Sequence, residues 1–205
     1  MKIVCIGRNY AAHARELGNE IPDAPILFLK PPSSLIGNGG TVILPAVTQD
    51  VQHEVELVVR LGTGGTNIAE ADALAHVDGY AVGLDLTARD LQTEAKKKGL
   101  PWTLAKGLDT FAPLGDFAPA SAVPDPQALR IRCVVRGEVR QDGFTGDMLH
   151  PVAALIAYVS SVMTLEPGDL IFTGTPEGVS PLHDGDDVFA EIDGLPPLRV
   201  TARRA

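Results

Sequence analysis

Cysteine and positive charge are both scarce in this sequence. Only Cys5 and Cys133 are present, each inside an apolar run. Isolated thiols of this kind indicate a core without a disulfide framework, as expected in a reducing compartment. Acidic residues outnumber lysine and arginine by 26 to 17, and the formal net charge is −9 at pH 7. A chain of this sign lacks the basic surface that nucleic-acid binding requires, so we expect no nucleic-acid partner.

Long apolar runs are also absent. The longest apolar stretch, residues 152–163, is too short to cross a bilayer as a helix. The N-terminal run that ends before Gly7 is too short for the apolar part of a signal peptide. We therefore expect a cytoplasmic protein without membrane contact. At 205 residues the chain suits one domain with a sizeable core.

Several familiar catalytic and binding motifs are incomplete or missing. Leu57 stands where an H-E-x-x-H zinc motif that begins at His53 needs its second histidine. No G-x-S-x-G sequence is present, so a serine hydrolase has no local support. The glycine-rich segment 62–67 ends in Asn67 where a dinucleotide fingerprint needs its third glycine, and we interpret it as a turn.

Two carboxylates lie two residues apart in the apolar, β-branched segment 53–61. This composition predicts a strand, and on a strand Glu54 and Glu56 share a face. Burying two like charges is costly unless a cation compensates, which favours a hard divalent metal; the alternative is an edge strand whose Glu side chains face water. Asp85, near the end of a predicted strand 78–86, would supply a third oxygen ligand, unless it is only a polar residue before a helix cap.

Three further segments carry candidate chemistry. His13 and Glu16 are three residues apart in a predicted helix 11–17, where they would form either a carboxylate-oriented general base or a surface ion pair. Lys106 lies among apolar neighbours in a predicted loop 101–107 and could be a buried cation with a role. The segment 173–178 would present backbone N–H groups to a carboxylate, or would be an ordinary tight turn.

The remaining pattern predicts a chain of short strands with a few helices. Thr87 and Asp90 predict a capping box for a helix 91–98 that Gly99 ends, with Lys96, Lys97 and Lys98 as its solvated end. Further helices are predicted around 69–75 and from Val152, where apolar residues follow helical spacing. Hairpins are predicted across Arg136-Gly137 and around Asp193-Gly194.

Six ordered motifs that span nearly the whole chain resemble the fumarylacetoacetate hydrolase family, in particular its short single-domain branch of acylpyruvate hydrolases and oxaloacetate decarboxylases. The motifs are Gly7-Arg8-Asn9-Tyr10 with His13 and Glu16, Leu27-Phe28-Leu29-Lys30-Pro31, His53-Glu54-Val55-Glu56-Leu57, Asp85-Leu86-Thr87-Ala88-Arg89-Asp90, Pro101-Trp102-Thr103-Leu104-Ala105-Lys106, and Thr173-Gly174-Thr175-Pro176.

This resemblance implies an α+β, mainly β fold, a twisted mixed β-roll with a few peripheral helices. It implies a single catalytic domain over 1–205, in which residues 1–45 hold the first strand, a lid helix and connecting strands, and 46–205 form the catalytic core. A homodimer and a Mg²⁺ or Mn²⁺ cofactor are also implied. By motif match the metal ligands would be Glu54, Glu56 and Asp85, the catalytic residues His13, Glu16 and Lys106, and the substrate contacts Arg8, Gln92, Gly174 and Thr175.

The activity implied is metal-dependent hydrolysis of a C–C bond in a 3-acylpyruvate such as fumarylpyruvate or acetylpyruvate, which gives pyruvate and a carboxylic acid in aromatic catabolism. The same site would also suit oxaloacetate decarboxylation or tautomerisation, or isomerisation of a 2-hydroxyhepta-2,4-diene-1,7-dioate. A 2-oxo-acid binding protein without turnover is the reading from a different class, and the presence of His13, Glu16 and Lys106 argues against it.

Overall fold

The apolar, β-branched runs of the sequence form short strands. A computed structural model describes all 205 residues of the chain. The strands are β1 (Ile3–Gly7), β2 (Ile26–Lys30), β3 (Leu35–Ile36), β4 (Thr41–Leu44), β5 (Val51–Gln52), β6 (Val55–Leu61), β7 (Val77–Leu84), β8 (Thr87–Ala88), β9 (Ala112–Pro113), β10 (Ala118–Pro119), β11 (Arg130–Val135), β12 (Glu138–Phe144), β13 (Leu170–Phe172), β14 (Asp187–Ile192) and β15 (Leu198–Arg204).

Helices are few and short. The α-helices are α1 (Ala11–Glu16), α2 (Arg89–Lys98), α3 (Thr103–Lys106) and α4 (Val152–Val162). Single 3₁₀ segments cover Pro32–Ser34, Glu70–His76, Ala120–Ala122 and Thr145–Asp147. None of these helices has the length and apolar character needed to cross a membrane.

Two mixed sheets hold most of the strands. The first has the order β10-β7-β6-β13-β1-β2, in which only β1 and β13 run parallel. The second has the order β12-β11-β14-β15-β4, in which only β15 and β4 run parallel. This arrangement of mixed sheets with peripheral helices confirms the predicted α+β, mainly β fold class. Strands from residues 1–45 and 46–205 pair within the same sheets, and the proposed division of the chain at that point stays a prediction.

The register of β6 decides where the acidic residues meet. Val55 lies opposite Leu84 in the antiparallel β6–β7 pair, so Glu54 and Asp85 face each other just beyond the paired residues. The Asp85 N–H donates to the Glu54 carbonyl oxygen at 2.8 Å. On the other side of β6, Val58 lies opposite Phe172 of β13, and this brings the segment 173–178 alongside Glu56.

The main core is a cluster of 39 buried apolar residues drawn from both sheets and from α4. On α4 the predicted apolar stripe packs inward at Val152, Leu155, Ile156 and Val159. The same spacing places Val162 at the end of the stripe, but Val162 is exposed because the helix ends there. Cys5 and Cys133 are both buried and unpaired, as expected of core thiols without a disulfide.

Two local predictions were wrong, and a third was correct only in that the segment is helical. The segment predicted as a helix around 69–75 is the 3₁₀ helix Glu70–His76, and the predicted loop 101–107 contains the helical turn α3. The capping box before α2 does not form, because Thr87 pairs with Gln52 as part of β8 and the helix begins after Ala88. Asp90 instead accepts hydrogen bonds from the Thr48 hydroxyl and the Gln49 N–H.

Candidate active site

Three carboxyl groups converge at the end of the β6–β7 pair. Glu54 and Asp85 are held opposite each other by the strand register, and Glu56 lies two residues along β6 from Glu54. One oxygen of each carboxyl lies within 4.8 Å of an oxygen of the other two, and all three residues are buried. The sequence prediction that Glu54, Glu56 and Asp85 come together is therefore reproduced in the structure.

Three cationic side chains surround this cluster. Lys106 on α3 places its Nζ 2.8 Å from Glu54 Oε2 and 2.6 Å from Asp85 Oδ2. Lys30, at the end of β2, places its Nζ 2.8 Å from Asp85 Oδ1, and Arg89 of α2 pairs with Glu54 Oε1. The sequence pattern indicates a role for Lys106 and none for Lys30 or Arg89. Both stand inside the family motifs, but their partners are set by pairing between distant segments.

The protonation of the two glutamates differs because their neighbours differ. Burial would raise the pKa of Glu54, but Lys106 and Arg89 outweigh it and hold that pKa well below its usual range. Burial and the charges of Asp85 and Glu54 raise the pKa of Glu56 well above its usual range. The only hydrogen bond that Glu56 accepts comes from the Gly174 N–H at 2.7 Å. Glu56 is thus a buried carboxyl with no cation of its own.

The oxygen cluster fits a hard divalent cation. Asp85 Oδ1 is buried and accepts no hydrogen bond, although the ammonium of Lys30 lies near it at an angle unsuited to one. Glu56 has no cationic partner at all, and the site offers buried carboxylate oxygens from three residues and no nitrogen or sulfur ligand. Such an all-oxygen set suits Mg²⁺ or Mn²⁺, which carry the charge that the carboxylates need.

A histidine and glutamate pair stands on α1. His13 Nδ1 lies 3.3 Å from Glu16 Oε2, and the histidine is almost wholly buried. Burial lowers the pKa of His13 below its usual value, and the nearby carboxylate of Glu54 counteracts only part of this effect. The imidazole is therefore neutral near pH 7 and can accept a proton. Glu16 also accepts the Gly178 N–H at 3.0 Å, which ties α1 to the segment 173–178.

The cleft between α1, α2 and α3 brings most of the predicted residues together. His13 and Lys106 line it with Glu54. Its open volume is about 20 Å³, which is room for a single water molecule, so a larger ligand requires movement of α1 or of the lining side chains. The full lining is Gly7, Arg8, His13, Leu17, Asn19, Phe28, Glu54, Arg89, Gln92, Lys96, Trp102 and Lys106.

Gly174 and Thr175 do not line this cleft. The Gly174 N–H is bonded to Glu56, and the Thr175 hydroxyl donates to the Val55 carbonyl oxygen at 2.8 Å. The same hydroxyl accepts a hydrogen bond of 2.8 Å from Gln141 Nε2. These contacts hold β6 and Glu56 in place, and the role of Gly174 and Thr175 as substrate contacts stays a prediction. Gln141 was missed because only the folded chain brings it to β6.

Comparison with known proteins gives one fold and several activities. Residues 2–203 match the family described as fumarylacetoacetate (FAA) hydrolase C-terminal. The chain is 50% identical over 203 residues to a mitochondrial oxaloacetate tautomerase, FAHD1, of Arabidopsis thaliana, which covers 99% of this chain and 91% of that protein. A crystal structure of fumarylpyruvate hydrolase from Pseudomonas aeruginosa in complex with Mn²⁺ and pyruvate is similar at a TM-score of 0.97 and 40% identity, over 100% of this chain and 90% of that one.

A third similar protein has a third activity. The crystal structure of 5-carboxymethyl-2-hydroxymuconate delta-isomerase from Mycobacterium smegmatis has a TM-score of 0.89 and 41% identity, over 100% of this chain and 79% of that one. A tautomerase, a hydrolase and an isomerase thus share the present fold over nearly its whole length.

Proposed function

The chain belongs to the fumarylacetoacetate hydrolase family and is an enzyme, and from that membership we propose that it catalyses the keto–enol tautomerisation of oxaloacetate. The relative at 50% identity, an oxaloacetate tautomerase, supports this choice of reaction. The observation that carries the proposal is the convergence of His13, a buried neutral base, and Lys106, a buried cation, on one cleft beside a carboxylate cluster.

The chemistry needs one group that moves a proton at carbon and one that stabilises charge at oxygen. In the keto-to-enol direction, the C3–H bond breaks and the proton passes to Nε2 of His13, whose Nδ1–H is donated to Glu16. The electron pair forms the C2–C3 double bond, and the π pair of the C2 carbonyl passes to its oxygen. That oxygen then takes a proton from solvent, and the imidazolium of His13 releases its proton to solvent and becomes neutral again. Lys106 stabilises the negative oxygen at C2, because Asp85 and Glu54 raise the pKa of its ammonium in spite of burial.

A divalent ion, Mg²⁺ or Mn²⁺, held by Glu54, Glu56 and Asp85 would polarise the 2-oxo group as a Lewis acid. The Mn²⁺ in the similar fumarylpyruvate hydrolase supports this assignment. Arg8 and Gln92 would contact the substrate from the cleft wall, as the family motifs imply. The Gln92 amide oxygen accepts a hydrogen bond of 2.7 Å from Arg89, and its amide nitrogen forms no hydrogen bond within the protein. We also propose that the protein is a homodimer without a nucleic-acid partner.

Hydrolysis of a 3-acylpyruvate is the second candidate, favoured by the TM-score of 0.97 to fumarylpyruvate hydrolase. In this reaction His13 takes a proton from water, whose oxygen attacks the distal carbonyl carbon. The C–C bond then breaks, its electron pair passes to the pyruvate fragment as an enolate, and protonation at carbon gives pyruvate. Decarboxylation of oxaloacetate would form the same enolate without water.

One experiment separates these reactions. Protein stripped of metal is reloaded with Mn²⁺ and assayed in parallel for ketonisation of enol-oxaloacetate and for pyruvate release from oxaloacetate, acetylpyruvate and fumarylpyruvate. We expect metal-dependent ketonisation to exceed every rate of pyruvate release by about tenfold or more, which corresponds to about 1.4 kcal/mol of transition-state binding. Faster pyruvate release from an acylpyruvate would replace the tautomerase proposal with the hydrolase. A metal-loaded protein inactive in every assay would refute both.

A further inference from the structure

Two basic side chains in the cleft have no carboxylate partner. Arg8, just after β1, and Lys96, on α2, line the same cleft as His13 and Lys106. Arg89 and Lys106 form ion pairs with the carboxylate cluster, whereas neither Arg8 nor Lys96 forms a salt bridge. The cleft therefore carries positive charge that the protein itself does not neutralise, in a chain whose formal net charge is −9.

Arg8 is held in the cleft at a cost to its backbone. Its φ angle of +59° lies in the left-handed region, which non-glycine residues rarely adopt. Its Nε is buried and has no hydrogen-bond partner. A strained backbone and an unsatisfied buried donor both disfavour folding, and such features persist at sites where a ligand completes the contacts.

Lys96 belongs to the cleft and not to the solvated end of α2. Its Nζ lies 5.6 Å from the centre of the Trp102 ring and 3.4 Å from Asn19 Oδ1. Burial and the nearby charge of Arg8 lower the pKa of Lys96 to about 8. Lys97 and Lys98, by contrast, are exposed and pair with Glu94 on the surface. The prediction of a solvated lysine run was correct for these two and wrong for Lys96.

Helix α2 carries both Arg89, which contacts the carboxylate cluster, and Lys96. Arg89, Gln92 and Lys96 follow helical spacing on one face, and all three line the cleft. Arg89 contacts Glu54 at the cluster, and Lys96 is seven residues further on, about 10 Å along the helix axis. The face thus runs from the cluster to an unpaired cation at the far part of the cleft wall.

We propose that Arg8 and Lys96 bind the second carboxylate of a dicarboxylic 2-oxo acid and make the enzyme selective for dianionic substrates. The inference rests on the proposed function, since it needs the 2-oxo end of the substrate at the divalent ion that Glu54, Glu56 and Asp85 would hold. A second carboxylate would give Lys96 its missing counter-ion and Arg8 its missing acceptor. A monoanionic 2-oxo acid would leave both cations unpaired in the cleft.

The test compares a dianion with its neutral-ended analogue. Oxaloacetate and its 4-ethyl ester share the 2-oxo acid end, and only oxaloacetate carries the second carboxylate. Both are titrated into the Mn²⁺-loaded protein by calorimetry, and kcat/KM is measured for both. In Lys96→Met we expect the preference for the dianion to fall by about tenfold or more, the usual scale for losing a charged hydrogen bond. The affinity for the ester should not change.

Two matched variants complete the design. Lys97→Met removes the neighbouring surface lysine and should leave the preference intact, and Lys96→Arg should restore most of it. An equal loss for both ligands in Lys96→Met would mark a structural role and overturn the inference, as would equal binding of both ligands by the wild type. Should the wild type prefer the dianion through Lys96 but turn over neither ligand, the tautomerase proposal fails and the inference stands.

Discussion

His13 owes its suitability as a base to burial and to a single carboxylate partner. Burial keeps the imidazole neutral, and Glu16 orients it. Replacing His13 by Gln keeps the polar volume but removes the proton acceptor, so we expect kcat to fall by about 10²–10⁴-fold. Mn²⁺ affinity, measured by electron paramagnetic resonance, should stay at the wild-type value. The exposed His183 offers a control, and an unchanged kcat in His13→Gln would remove this residue from the mechanism.

Lys96 should make the preference for a dianionic substrate depend on pH near neutrality, which a solvated lysine would not do. Its pKa is lowered to about 8 by burial and by Arg8 and Arg89, with Lys106 acting in the same direction and Glu54 opposing them. Below that value Lys96 is charged, and above it the residue is neutral. We therefore expect kcat/KM for oxaloacetate, relative to its 4-ethyl ester, to decline as pH rises through about 8.

The Lys96→Arg variant provides the check on that pH profile. Arginine stays protonated across the range in which lysine titrates. In Lys96→Arg the ratio of kcat/KM for oxaloacetate to kcat/KM for the ester should therefore stay constant above about pH 8. A decline of the same size in Lys96→Arg would assign the pH effect to another group and contradict the prediction.

Individual site residues can be predicted from the sequence where their spacing is itself the signal. The two-residue spacing of Glu54 and Glu56 and the three-residue spacing of His13 and Glu16 are local, and the structure brings each pair together. Lys30 and Arg89 show what spacing cannot predict. Their side chains matter because β2 and α2 end beside β6, and no local pattern specifies that neighbourhood.

The segment after β13 packs closely against β12. Gly178 has a φ angle of +94°, and a Cβ atom at this position would lie 2.0 Å from the Arg140 carbonyl oxygen. Gly168, before β13, has a φ angle of +85° with nothing near its missing Cβ. Both positions disfavour alanine through backbone strain, but only Gly178 adds a collision with a neighbouring strand.

The two glycines therefore make a matched pair of variants. We expect Gly168→Ala to lower the free energy of unfolding by about 1–2 kcal/mol, and Gly178→Ala to lower it by more than about 3 kcal/mol. Thermal unfolding measures both, at about 2–4 °C per kcal/mol for a chain of this size. Gly178→Ala should also weaken the contact of its N–H with Glu16 and so reduce activity. Equal destabilisation would contradict the packing argument.

Element types followed from the sequence where local and tertiary preferences agree. The Arg136-Gly137 hairpin forms as predicted, with both residues at positive φ as a tight turn requires. The capping box at Thr87 and Asp90 failed, because the backbone of Thr87 is held in a strand pair with Gln52 and the Asp90 carboxylate accepts hydrogen bonds from the segment 48–49. Tertiary partners override a local signal there.

For the molecule as a whole, the buried carboxylates link stability to pH and metal. Glu56 has a raised pKa when folded, so without metal it retains a proton that the unfolded chain has released. The metal-free protein should therefore lose stability as pH rises above the ordinary carboxyl value of 4.5 and through the raised value. Glu54 has a lowered pKa, so its ionisation changes the stability only at pH values below the ordinary carboxyl value.

Mn²⁺ should oppose this loss of stability, because it binds the ionised carboxylates. At a concentration of about one hundred times Kd the ion adds about 2.7 kcal/mol, or about 5–10 °C in Tm. We expect the increase in Tm on adding Mn²⁺ to be larger at about pH 8 than at about pH 5.5. Glu56→Gln should remove most of the pH dependence, and Glu177→Gln, an exposed control, should not. A Tm that changes with neither Mn²⁺ nor pH would contradict the assignment of the cluster as a metal site.

The pairing of β6 with β7 and β13 also sets an order of events in folding. The β6–β7 pair is sequentially local and brings Glu54, Glu56 and Asp85 together by itself. The pairing of Val58 with Phe172 joins β6 to β13, which lies far along the chain. Because distant contacts form slowly, the acidic hairpin is expected to exist before α3 delivers Lys106 and before β13 closes the sheet. Because like charges repel one another in that hairpin, we expect a divalent ion present during refolding to increase the folding rate as well as stabilise the final state.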